Sequence, residues 1–175
     1  MRTEKLIYTA LFIALGILVP QTFHMIGGPG AGAVLLPMHI PVLVGAIMLG
    51  PMSGFIIGTV SVLLGFLIGM PVLPMAAFML FELGIYGLVA GYLGHTRRFN
   101  LYISLVGAMI AGRLASLTIM KLAIGLLGIK LPPIFGTIAI FSVGVPGILI
   151  QLIVVPILIF TIRRYFDANR TFSTN

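Results

Sequence analysis

Apolar stretches long enough to cross a bilayer follow one another through this chain almost without a break. Inside hydrocarbon every backbone N–H and C=O must find a partner within the protein, which leaves only helices and closed barrels. Barrel strands read as short segments that alternate apolar and polar residues, and no such alternation is visible here. The fold class is therefore all-α: a polytopic membrane protein with six transmembrane helices in a compact bundle. The composition agrees, since 60% of residues are hydrophobic and 7% charged, with a mean hydropathy of +1.24. Soluble domains do not look like this.

Six spans can be drawn: Leu6 to Phe23, Leu35 to Leu49, Met52 to Ile68, Leu73 to Leu93, Leu101 to Leu127 and Ile134 to Ile162. The second is short and carries proline. A tight turn, Gly50-Pro51, separates it from the third. The sixth is interrupted by Gly144, Pro146, Gly147 and Pro156. At ~1.5 Å per residue the second and third are marginal unless packed within the bundle. Residues 1–175 are expected to form a single membrane-embedded domain without linker or low-complexity tail.

Basic residues set the orientation. Arg2 and Lys5 precede the first span, Arg97 and Arg98 follow the fourth, and Arg163, Arg164 and Arg170 follow the sixth. Six spans put all three places on one side, which the positive-inside rule makes cytoplasmic. Only Lys130 falls clearly opposite. The net charge of +7 therefore reflects topology, and no nucleic acid is expected. Arg2, Lys5 and a faint Ala31-Gly32-Ala33 pattern resemble a cleaved signal, but further membrane segments follow, so the run is read as the first helix. Cysteine is absent, which excludes disulfides and thiolate chemistry.

The stretch FHMIGGPGAGAV, residues 23 to 34, holds four glycines and a proline on the outer side. Such a segment is not expected to be regular helix. It reads either as a flexible connection or as a lid over an outward-facing pocket, with His24, Gly28 and Gly30 as its lid residues.

Five ionisable or strongly polar groups fall inside the spans: His39, Glu82, Arg113, Lys121 and Gln151. A charge in hydrocarbon costs ~2.5–3.5 kcal/mol on insertion scales and usually faces a cavity or a partner. Arg113 lies 12 residues above Leu101 and Glu82 lies 11 above Leu93, so both sit roughly 16–18 Å from the inner surface. The two either form a plain ion pair that glues the bundle or line a pocket in which Arg113 binds an anionic or carbonyl group bidentately. Met75, Phe78, Met79 and Tyr86 fall at helical spacing around Glu82 and read as packing or as an apolar wall for a small molecule. His39, bracketed by Pro37 and Pro41, either bonds a ligand or caps a broken helix end. His24 and Gln21 are weaker candidates, and Lys121 can snorkel to the interface. The histidines are scattered and only one acid is buried, so neither a metal nor a cofactor is expected. No nucleophile–base pair is visible, so the chain is not read as an enzyme. Ala10 and Ala14 form a small-xxx-small pair, which lets helices approach closely either inside this bundle or against a partner subunit. Gly54 and Gly58 form a similar pair, assigned to internal packing.

These features together, with LPMHIPVLVGAIMLGPMSG, ELGIYGLVAG and AGRLAS, resemble the substrate-binding S components of energy-coupling factor (ECF) vitamin transporters over essentially the whole chain. The resemblance implies high-affinity binding of a vitamin from outside and closure of the first outer loop over it. It also implies docking through Ala10 and Ala14 on a transmembrane coupling subunit, with two ATPase subunits hydrolysing ATP; no phosphate-binding G-x-x-x-x-G-K-[ST] occurs here. The localisation implied is the plasma membrane of a prokaryote. Family members bind riboflavin, thiamin, folate, biotin, cobalamin, pantothenate or hydroxymethylpyrimidine. A single buried arginine beside histidine and apolar residues, without tryptophan, suits a small flexible carboxylate, and pantothenate fits best. Hydroxymethylpyrimidine, whose amine could use Glu82, is next, and cobalamin would need a wide cavity. Rival classes are an ion-coupled secondary transporter with Glu82 as proton site, and an accessory subunit without ligand. No inverted halves are visible to support the first.

Overall fold

The computed structural model of the protein describes residues 3–127 and 144–172, and its secondary structure there is entirely helical. The helices are α1 (Thr3–Leu35), α2 (His39–Leu49), α3 (Pro51–Ile68), α4 (Met75–Ala90), α5 (Leu101–Leu127) and α6 (Val145–Phe172), with a π-helical turn at Gly91–Thr96 that continues α4. Among them, five are long and apolar enough to cross a membrane. The exception is α2, at 11 residues. Its shortness is explained by its position: it packs against α1, α3, α4 and α6, and residues 41–47 are all buried. A helix apolar on every side belongs inside a bundle. Pro41 does not break it, because a proline in the first helical turn removes no intrahelical hydrogen bond. The turn at its end is the one expected: Gly50 adopts φ +97° and Pro51 opens α3, each residue suited to its place.

The stretch 23–34 corrects the sequence reading. It is helical rather than irregular, and α1 runs through it with one break, at Gly28 (φ 66°, ψ −174°). Glycine alone tolerates that backbone, and Pro29 immediately restarts a helix at its first turn. Helix also satisfies the backbone groups of this apolar segment where water is scarce. Boundaries differ elsewhere by less. The fourth span starts at Met75 instead of Leu73, and the sixth continues to Phe172 instead of ending at Ile162. The stretch 134–143, expected to open the sixth span, and Lys130 lie outside the described residues.

Glycine governs how closely α3 and α4 approach. A Cβ on Gly54 or Gly58 would strike the backbone of Gly87 or Leu83, and one on Gly87 would strike Gly54. The pair assigned to internal packing therefore lies where the backbones of α3 and α4 approach closely. Two buried clusters fill the interior: one around Leu43, Ile47, Tyr86, Leu105 and Val155, the other around Met38, Val42, Ile57 and Leu83. Outward faces are apolar too, as a lipid-facing surface requires. On α1, Ile7, Leu11 and Leu18 are exposed, and Ala10 and Ala14 lie among them, while Thr9 and Gly16 face inward.

Candidate functional site

Three helices bring four of the expected residues to one point. His39 is the first residue of α2, Glu82 and Tyr86 stand one turn apart on α4, and Arg113 is midway along α5. Arg113 Nη1 lies 3.2 Å from Glu82 Oε1, and His39 Nε2 lies 3.7 Å from the same oxygen. The His39 and Tyr86 rings meet edge to face, with centroids 4.9 Å apart and an 80° interplanar angle. Exposure is 1% for His39, 5% for Glu82, 0% for Tyr86 and 7% for Arg113, so the charges are held away from lipid. The equal depths expected for Glu82 and Arg113 are realised as direct contact. Tyr86 reaches the cluster because Gly112 of α5 leaves room for its ring, a place a Cβ would occupy.

Arg113 also approaches the start of α6. A Cβ on Gly144 would fall 2.5 Å from Arg113 Nη2 and 3.3 Å from Leu36 Cδ1. The guanidinium thus lies where the end of α1, the middle of α5 and the start of α6 converge. Ser116, one turn beyond Arg113, interacts with the Glu82 carboxylate. The sequence reading missed it, although its i, i+3 spacing from Arg113 was a usable signal. Chemically, the cluster pairs one fixed cation with one anion and adds an imidazole whose Nδ1 has no hydrogen-bond partner among the described residues. Such a set can hold a small molecule that carries an anionic or carbonyl group and a further polar edge.

The remaining candidates stand apart from this point. Met79 is half-buried and packs on the cluster with Met38, Val42 and Leu83. Met75, two turns toward the start of α4 from Glu82, is half-buried as well, and Phe78 is buried. His24, Gly28 and Gly30 lie on α1. His24 Nδ1 is 3.4 Å from the Gly28 carbonyl oxygen, and its ring fills the space over Gly32, so it braces the break. Gln21 is half-buried and Lys121 exposed. No group of three or more histidine, cysteine or acidic side chains able to hold a metal occurs among the described residues.

A family model described as "ECF transporter, substrate-specific component" matches residues 4–159. The chain belongs to that family. The match spans all four residues of the buried cluster. ECF substrate-specific components are the transport subunits that determine what is taken up, and this one is a multi-pass membrane protein. No curated protein and no solved structure matches the chain significantly.

Proposed function

We propose that this chain binds a vitamin or related small molecule and delivers it across the membrane as the S component of an ECF-type ABC transporter. One observation carries the reading. A substrate-specific component holds His39, Glu82, Tyr86 and Arg113 together, nearly unexposed, inside a largely apolar bundle. Burying such groups is costly, and recognition of a polar guest is the use that offsets the cost. Pantothenate is the substrate that fits best. Its carboxylate can share the Arg113 guanidinium, which has five N–H donors, with Glu82, and its aliphatic body suits Met75 and Met79. Hydroxymethylpyrimidine is the second reading, because Glu82 and His39 could bond its amine and ring nitrogen.

Entry is from the outer side, where His24, Gly28 and Gly30 form the lid. The break at Gly28 supplies its hinge, since glycine absorbs large backbone changes. Both termini lie in the cytoplasm of a prokaryotic cell, as the basic residues require. ATP is hydrolysed by two partner ATPases, and Ala10 and Ala14 dock the chain on the coupling subunit. Their exposure on α1 supports that role. Ala10→Leu with Ala14→Leu is expected to abolish uptake by the assembled transporter while leaving ligand affinity within twofold. Loss of binding instead would place that face inside the bundle.

A thermal-shift screen of the purified chain against vitamins tests the substrate. Ligand at 100 times its Kd adds ~2.7 kcal/mol, which raises the Tm of a domain this size by roughly 5–10 °C. Pantothenate is expected to give the largest rise, and a larger one from hydroxymethylpyrimidine would reverse the order. Uptake into vesicles that lack any ATPase, driven by a proton gradient, would replace this reading with an ion-coupled carrier.

A further inference from the structure

The inward side of α6 is marked by its buried residues. Gly144 stands at the turn before the helix, and Gly147, Gln151, Val155 and Ile159 follow along it. Steps of three and four keep them on one face. At one end of this stripe Gly144 meets Arg113, and Gly147 lies against the backbone of Val34 and Leu35. At the other end Val155 and Ile159 join the cluster that contains Tyr86, Leu43 and Ala108, and Ile148 and Leu152 pack on it. Gln151 lies between the two, the only polar side chain of the stripe. It is fully buried, and neither its Oε1 nor its Nε2 has a hydrogen-bond partner among the described residues.

A buried amide left unpaired weakens the fold, so native proteins nearly always pair one. Ser53 is also buried and unpaired among the described residues, but it lies in the first turn of α3, beyond the end of α2 opposite His39, and a helical serine hydroxyl can turn to the carbonyl one turn back. Gln151 stands roughly 10 Å along α6 from Gly144, on the buried face of a helix that packs against α1, α2 and α5. We propose that Gln151 is a substrate contact, and that it selects a molecule presenting a hydrogen-bond donor beside an acceptor, as a primary amide, a ureido group or an aminopyrimidine edge does. A primary amide offers one acceptor oxygen and two N–H donors, so it meets such an edge through two parallel hydrogen bonds. A site built this way rejects analogues that lack the edge, because its own amide then stays unpaired. The ligand class follows: an acidic or carbonyl group for Arg113 at one end and an amide-type edge for Gln151 at the other. Pantothenate carries the carboxylate, and its secondary amide, whose N–H and C=O point to opposite sides, meets Gln151 through a single hydrogen bond. This proposal rests on the small-molecule reading above.

The test is Gln151→Met, which keeps the length of the side chain and removes both polar atoms, with Gln151→Leu as a second apolar replacement. Binding of pantothenate, hydroxymethylpyrimidine, biotin and riboflavin is measured by calorimetry on wild type and variants. The molecule that binds wild type is expected to bind Gln151→Met roughly ten- to hundredfold more weakly. The ligand-free variants are expected to melt at or above the wild-type temperature, because an unpaired amide has been removed. Unchanged affinity in the variants overturns the role of Gln151 and leaves the Arg113 site standing. A lowered melting temperature in both ligand-free variants overturns it too, since that marks a packing role. If none of the four molecules binds wild type, the reading of the site itself falls, and this proposal with it.

Discussion

Gly87→Val is expected to leave almost no monodisperse protein after extraction in detergent, whereas Gly125→Val behaves as wild type. A Cβ on Gly87 would occupy the place of the Gly54 backbone, while one on Gly125 would meet nothing within 4 Å. Backbone cannot rotate away as a side chain can, so the helices must part. Overpacking against a side chain costs about 1–3 kcal/mol and can exceed that, and a domain holds only ~5–15 kcal/mol in total. The α3–α4 contact also carries Gly58 against Leu83, so separation at one glycine loosens the next, one turn away. Size-exclusion profiles of the two variants decide the matter. A monodisperse Gly87→Val protein would mean that α3 and α4 do not meet at their glycines.

Arg113→Ala and Glu82→Ala are each expected to destabilise the protein by ~3–5 kcal/mol, the usual effect of leaving one buried charge without its partner. Replacing both, with Glu82→Leu and Arg113→Met, is expected to restore most of the loss, since an apolar pair of similar volume often substitutes for a buried ion pair. The double variant separates gluing from recognition. If the 3.2 Å contact exists only to hold the bundle, the refolded double variant still binds the wild-type ligand. If Arg113 recognises the ligand, the double variant folds and has lost at least a hundredfold in affinity. Melting temperature and calorimetric Kd are compared across wild type, the two single variants and the double variant. Affinity within twofold of wild type in the double variant would sink the pocket.

Much of the fold was legible in the sequence because membrane physics leaves few choices. An apolar run of the right length must be helix, whatever it packs on. Gly50-Pro51 marked a turn because φ +97° needs glycine and a helix start accepts proline. The depth of Glu82 and Arg113 could be counted along two helices joined by a short loop, and that count put them at one level while leaving open whether they touch. Residues 23–34 were misread because glycine content was weighed as it would be in water. In an apolar setting the backbone has no solvent to turn to, and one break at Gly28 sufficed.

The sequence by itself determined the class, the helices, the likeness to ECF substrate-specific components and the level of the buried charges, since each depends on local composition and on rise per residue. Only the tertiary structure decided which faces meet. That His39 completes the Glu82–Arg113 pair, that Tyr86 fits over Gly112, and that Gln151 points inward depends on how each helix is rotated about its axis. In a chain apolar on nearly every side, rotation is set by close contacts such as Gly54 with Gly87 rather than by an amphipathic stripe.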